Sequence, residues 1–250
     1  TAMSSSAPQS FSVQLHLAET NEIFSLPQSQ NDLTLKKLKS HLELLTGIPL
    51  HLQRLQYLDE ADLPDESTFQ DNNIVPGGTI TMHIWRQDGW GRLVAAAAKG
   101  ETLKVNSITS VNGTFAGSTP HAELLGPEQR KEWIAHRAFV ALFVASCRGH
   151  IETVEFLLRH GVDLHTQTPL GRTTLHITAV AGRCYCLELL LNYGAQALGP
   201  DSEGQTGLSL ACQWGQKQSE RTMVCLQWRK RSPGTVPPPS AAGRALQQPS

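Results

Sequence analysis

Residues 171–195 read GRTTLHITAVAGRCYCLELLLNYGA, and this stretch decides the fold. Leu175 and Ala179 stand four apart, on one face of a helix, and the alanine is small enough for close helix packing. Thr173 precedes them where a helix takes its N-cap. Gly182 then permits the left-handed backbone of a tight turn. Beyond it Leu187, Leu190 and Leu191 form a second apolar stripe, closed by Gly194-Ala195. The spacing predicts two short antiparallel helices whose leucines need a neighbouring layer to cover them.

Working outward, the pattern repeats. Gly149, Gly182 and Gly215 stand 33 apart, as do Leu142, Leu175 and Leu208, Gly161 and Gly194, and Gly171 and Gly204. A step of 33 is the length of an ankyrin repeat, and the 171–195 copy closely resembles that family's G-x-TPLH-x-AA pattern. The resemblance implies that His176 bonds neighbouring repeats. The preceding copy keeps Leu142, Ala145, Gly149, Val154, Leu157, Leu158 and Gly161 but has Val140 and Phe143 for the threonine and histidine. The following copy keeps Thr206, Leu208, Ala211 and Gly215, has Gly207 and Ser209 for proline and histidine, and carries Glu220 and Gln227 at apolar and glycine positions. A degenerate copy starts at Leu93 with Ala96, Ala97 and Gly100. Between them Pro127 to Arg148 holds no interior Gly or Pro, which predicts one long helix entered through Gly126-Pro127.

Further toward the N-terminus the period changes. Phe11, Val13, Leu15 and Leu17 alternate with polar residues, as a half-buried strand does. A weaker strand follows at Ile23, Phe24 and Leu26. Leu35, Leu38, Leu42 and Leu45 then take helical spacing, with Thr34 as N-cap and Gly47 and Pro49 ending the helix. Strands are expected at Arg54–Leu58 and over Ile80, Met82 and Ile84. The order is β-β-α-β-β. Gly47-Ile48-Pro49, Gln53-Arg54-Leu55, Ser67 to Ile74 and Gly78 to Ile84 together resemble the helix exit, third strand, turn and last strand of ubiquitin. The resemblance implies a β-grasp domain, of the kind that docks on components of the ubiquitin–proteasome system or on adaptors. The chain runs on through Arg86-Gln87-Asp88-Gly89, so conjugation through a terminal glycine is not expected. Gln56 and His83 stand at the positions of ubiquitin's aliphatic patch and mark an altered recognition face or an ordinary polar sheet surface.

The expected class is therefore α+β, an N-terminal ubiquitin-like β-grasp domain followed by an all-α ankyrin solenoid. Residues 1–10 are expected to be disordered, 11–86 to form the ubiquitin-like domain and 87–92 a linker. Residues 93–229 hold the repeats: a degenerate copy 93–105, an insert 106–126, copies 127–165 and 171–198, and a degenerate copy 204–229. Residues 230–250 are expected to form a disordered tail. The combination resembles the ankyrin repeat and ubiquitin domain-containing proteins.

Composition sets limits on function. With 21 basic and 22 acidic residues the formal net charge is −1, which speaks against a nucleic-acid backbone binder. No apolar run approaches a membrane span and no signal peptide is visible at the start. Five cysteines at irregular spacing suit a reduced cytoplasmic or nuclear compartment. Cys184-x-Cys186 lacks the spacing of a zinc pair, so both thiols read as small core residues, and no cofactor is expected. The leading expectation is a monomeric, non-enzymatic scaffold that binds protein partners through its concave face and hairpin tips. Its candidate contacts are His165, Thr166 and Gln167 at one tip, Leu198 and Asp201 at the next, the cations Arg148, Arg172 and Arg183, and Gln56 and His83 on the sheet. Two alternatives stand beside it: a sheet domain that only caps the repeats, and a cysteine-dependent enzyme subunit, for which Cys147 is the candidate nucleophile.

Overall fold

The computed structural model describes residues 10–109 and 119–231. The expected disordered start and tail, apart from their innermost residues, and the middle of the insert lie outside these.

Strands β1 (Phe11–Leu17) and β2 (Glu22–Ser29) form an antiparallel hairpin. Helix α1 (Leu35–Thr46) follows, then a 3-10 turn at Leu50–Leu52 and strands β3 (Gln53–Gln56) and β4 (Thr79–Ile84). The sheet order is β2-β1-β4-β3, with β1 and β4 parallel at its centre and antiparallel pairs outside. Alternation delivers Val13, Leu15, Leu17, Ile80, Met82 and Ile84 to one buried face, where α1 supplies Leu35, Leu38 and Leu42. Each buried leucine contributes roughly 1.5–3 kcal/mol. Thr34 caps α1 by accepting from the Lys37 N–H, and Gly47 ends it at φ 70°. The third strand stops at Gln56, two residues short of expectation: Leu58 turns to φ 63° and stands 90 % exposed, outside the sheet.

The helices run α2 (Trp90–Ala98), α3 (Thr102–Thr109), α4 (Pro120–Glu123), α5 (Pro127–Arg148), α6 (Ile151–Arg159), α7 (Thr174–Val180), α8 (Cys184–Asn192), α9 (Gly207–Gln213) and α10 (Lys217–Arg231). An inner row forms as α2 packs on α5, α5 on α7 and α7 on α9. An outer row forms as α3 packs on α6, α6 on α8 and α8 on α10. Leu142, Leu175 and Leu208 occupy equivalent places in successive inner helices, the first two buried and the third packed at the margin of the same core.

The step of 33 has a second expression. A Cβ on Gly100, Gly149 or Gly182 would strike His150, Arg183 or Gln216 respectively, and those three residues are themselves 33 apart. Each glycine turn is roofed by the next layer. His150 then bonds the Ala98 carbonyl at 2.7 Å and Arg183 the Cys147 carbonyl at 3.1 Å.

Helix α5 spans the full predicted 22 residues, Pro127 at its first turn and Gly149 (φ 81°) at its end. Its C-terminal half serves as the inner helix of a repeat, and its N-terminal half clamps the junction between sheet and stack. There Arg137, fully buried, lies 5.0 Å from the Trp90 ring and 4.6 Å from the Trp133 ring, and donates to the Asp88 carbonyl at 2.7 Å. The Asp88 carboxylate accepts from Trp133 Nε1 at 2.6 Å and from the Thr119 hydroxyl. At the other end α10 continues to Arg231, past the 229/230 boundary suggested by composition. With no Gly or Pro between Lys217 and Arg231, nothing in the chain stops the helix earlier.

Candidate interaction surfaces

Helix α1 has two working faces. Its leucine stripe meets the sheet, and the opposite stripe, Ser40, Glu43, Leu44 and Gly47, lies on the inner helices of the stack. Leu44 is buried against Val180 of α7 and Leu210 of α9, with Trp214 packed beside them. His41 stacks on the Trp214 ring at 5.1 Å. Gly47 sits so close to α5 that a Cβ there would come within 2.6 Å of Cys147 Cβ.

Polar groups finish this seam. Glu43 is wholly buried, with Oε1 accepting from the Thr168 hydroxyl at 2.8 Å and Oε2 from the Leu50 N–H at 2.7 Å. Arg172, 2 % exposed, lies 3.5 Å from Glu43 Oε1 and 3.3 Å from Asp201 Oδ2. It also donates to the Ser40 carbonyl at 2.7 Å. Burial pushes the Glu43 carboxyl above its ordinary value, against the pull of its hydrogen bonds and Arg172. Arg148 reaches across to both Glu22 oxygens, at 3.0 and 2.9 Å, and to the Thr46 carbonyl at 2.6 Å. Farther along, His51 Nε2 meets His136 Nε2 at 3.1 Å. Burial first, and His136 second, hold His51 down at about 4. His136 and His41 are also lowered, chiefly by burial.

These contacts revise several expected partner residues. Arg172 and Arg148 are not free cations: the first is spent on Glu43, Asp201 and Ser40, the second on Glu22 and Thr46. Asp201 is buried, not displayed at a tip. Its Oδ1 accepts the Glu203 and Gln205 N–H groups at 2.9 and 2.8 Å, fixing the turn below. Gln56 is buried and donates to Asp62 and the Glu60 carbonyl, so it adds nothing to an exposed sheet patch. His83 is half-buried opposite Arg54. Arg183 keeps an exposed side chain while its Nε holds the Cys147 carbonyl. His165 and Gln167 are exposed, Thr166 is half-exposed, and Leu198 is 52 % exposed. The tips thus remain open while the concave face is filled. Glu43, Leu44 and Trp214, which complete the seam, carry no sequence signal of their own. Only Leu44's place off the main leucine stripe hints at a second face.

The histidine and the buried cysteines of the repeats have structural work. His176 accepts from the Thr173 N–H at its Nδ1 (3.0 Å), and its Nε2 lies 3.1 Å from the Gln205 carbonyl in the next hairpin, the inter-repeat bond that the family resemblance implied. Burial raises the Cys147 thiol above its ordinary value and pushes Cys186 up to about 11, away from the reactive thiolate. Among the described residues no three His, Cys, Asp or Glu side chains gather as a metal cluster. No described helix is long and apolar enough to cross a membrane.

A family model described as ankyrin repeats (3 copies) matches residues 142–226. Human Protein ANKUB1 is 22 % identical over 213 residues, which cover 79 % of this chain and 38 % of that protein. Mouse Protein phosphatase 1 regulatory subunit 27 is 31 % identical over 105 residues, 40 % of this chain and 68 % of the relative. The rice (Oryza sativa subsp. japonica) Probable E3 ubiquitin-protein ligase XBOS31 is 40 % identical over 75 residues, 30 % of this chain and 15 % of that protein. The chain thus spans well under half the length of the first and last of these relatives.

Proposed function

Because the chain belongs to the ankyrin-repeat proteins, we propose that it is a non-enzymatic scaffold that holds protein partners on its hairpin tips. The observation that carries this reading is the pair of tips at 165–169 and 198–202, where His165, Gln167 and Leu198 face solvent on turns fixed from beneath. Rigid turns suit recognition because little ordering entropy is lost on binding. The likeness to a protein named as a phosphatase regulatory subunit supports a binding role over a catalytic one. In this reading the chain is an intracellular monomer that needs no cofactor, nucleic acid or membrane. The test places a photo-crosslinking residue at Gln167 in the full chain within cells. A defined protein adduct is expected, and it should vanish when His165 and Leu198 are changed to Asp. An adduct indifferent to those changes overturns the proposal.

The sheet domain is read as a ubiquitin-like β-grasp. Support comes from the parallel β1–β4 pair at the sheet centre, the flanking antiparallel strands and the single helix across one face. The human relative aligns with 79 % of this chain, a larger share than all the residues that follow Ile84, so that likeness reaches into the sheet. A link to the ubiquitin system is part of the proposal, in keeping with the rice relative's name. The seam built on Glu43, Leu44 and Arg172 favours a second role for this domain, as a cover of the repeats.

A further inference from the structure

We infer that the concave face of the stack is a helix-reading groove, selective for an amphipathic helix that presents a small residue, a carboxylate, a leucine and a second small residue at positions i, i+3, i+4 and i+7. Helix α1 is its resident occupant. This rests on the scaffold reading and adds to it the class of partner that the inner face takes.

The four positions are Ser40, Glu43, Leu44 and Gly47, one continuous stripe along a helix. Each meets a matching feature. At i, Ser40 gives its carbonyl and hydroxyl to the Arg172 guanidinium at 2.7 and 3.2 Å. At i+3, the Glu43 carboxylate enters a pocket made by Arg172 and the Thr168 hydroxyl. At i+4, Leu44 fills the apolar notch between Val180 and Leu210. At i+7, the absent side chain of Gly47 lets the helix end close on Cys147. Arg148 then takes the Thr46 carbonyl, one of the orphan acceptors of the helix C-terminus. These receptors come from α5, α7, α9 and the 168–172 hairpin, so the groove reads across successive repeats. Helix-in-groove recognition with anchors at such spacings is a general mode. The groove is not filled to its edge: beside Leu44 a cleft of about 300 Å³ remains, bordered by Lys37, His41, Glu203 and Trp214. An external helix could enter from that side as α1 leaves.

The test uses the full chain and a fluorescent peptide of residues 34–47, stapled through its Leu38 and Leu42 positions so that it stays helical. The receiving variant carries Glu43→Arg and Leu44→Arg, which drive its own α1 from Arg172 and the notch while keeping the leucine stripe on the sheet. The peptide should bind this variant, and bind the unmodified chain about tenfold or more weakly, because α1 must first vacate the groove. Binding should disappear when Arg172→Glu is added or when the peptide itself carries Glu43→Arg. Binding to neither protein, equal binding to both, or indifference to Arg172→Glu overturns the inference. A variant that fails to fold is answered by Glu43→Arg with Arg172→Glu and Asp201→Asn, which restores the opposite-charge pair and removes the carboxylate that now lies 3.3 Å from Arg172. It should fold and exclude the unmodified peptide, and admission of that peptide counts against the groove. Purified components and a tip-independent signal separate this outcome from the cross-linking result at Gln167.

Discussion

At the scale of single residues, Gly47 carries two constraints at once. Its backbone is left-handed at φ 70°, and a Cβ would meet Cys147 Cβ at 2.6 Å and Sγ at 2.8 Å. Gly47→Ala should lower the unfolding free energy by roughly 2–4 kcal/mol in urea denaturation, from the left-handed penalty and overpacking together. Gly77→Ala is the control: φ is 78° there but a Cβ meets nothing, so only the backbone penalty of roughly 1–2 kcal/mol is expected. Cys147→Ala should not rescue Gly47→Ala, since the Cβ itself obstructs; full rescue would sink the account. The His51–His136 pair makes a pH prediction. Both imidazoles are held below 6.5 in the folded chain, His51 at about 4. Between about 4 and 6.5 the unfolded chain binds protons that the folded one does not, so stability rises with pH across that window and is lost on acidification. Glu43, raised by burial, has the opposite sign, because its folded form holds a proton to higher pH. The melting temperature should fall from pH 7.5 toward pH 5, and less steeply in His51→Gln with His136→Gln. Parallel curves for the two proteins would count against the pair.

At the scale of elements, α5 depends on a cation inside its own core. Arg137 is clasped by Trp90 and Trp133, holds the Asp88 carbonyl and lies 3.8 Å from the Asp88 carboxylate, so its removal leaves a cavity, an unpaired carbonyl and a carboxylate without its counter-charge. Arg137→Leu should cost about 3–5 kcal/mol, as breaking one side of a buried pair does. Asp88→Asn together with Arg137→Leu should recover part of it. No loss in thermal denaturation of the single variant would refute the clasp. The length of α5 was legible in the sequence, because Gly126-Pro127 and Gly149 bound an unbroken run. Arg137 was not, since charge at one position of a long helix reads as solvated surface. The leucine stripe of α1 was legible for the same reason as α5: periodicity reports a face that is buried. Periodicity assumes one such face, and α1 has two. Leu45, assigned to the stripe, is only half-buried, while Leu44 beside it is enclosed by the stack. Arg172 and Asp201 were misread as displayed because the repeat pattern fixes positions within the stack and carries no information about a domain folded over it.

On the scale of the whole molecule, the sheet and the stack share one apolar core that runs from Val13 to Met223, and buried charges bridge them. Two domains joined only by a linker would melt as two units; a shared core and seam make each half part of the other's native environment. The full chain should therefore unfold in one transition, with the calorimetric and van't Hoff enthalpies equal. A fragment of residues 87–231, which keeps Asp88 and Trp90 around Arg137, leaves Arg172 with Asp201 alone and uncovers Val180, Leu210 and Cys147. The Glu43–Arg172 pair is lost, and losing the enclosed Leu44 contact costs roughly 1.5–3 kcal/mol. Against a total stability of about 5–15 kcal/mol, the fragment should be marginal, melting well below the full chain and exchanging the amides of α7 and α9 early. Restoring the sheet domain with Leu44→Ala should give an intermediate melting point, since the charges return without the apolar anchor. Two resolved transitions in the full chain, or a fragment that melts at its parent's temperature, would show the sheet to be a passenger and the concave face to be free.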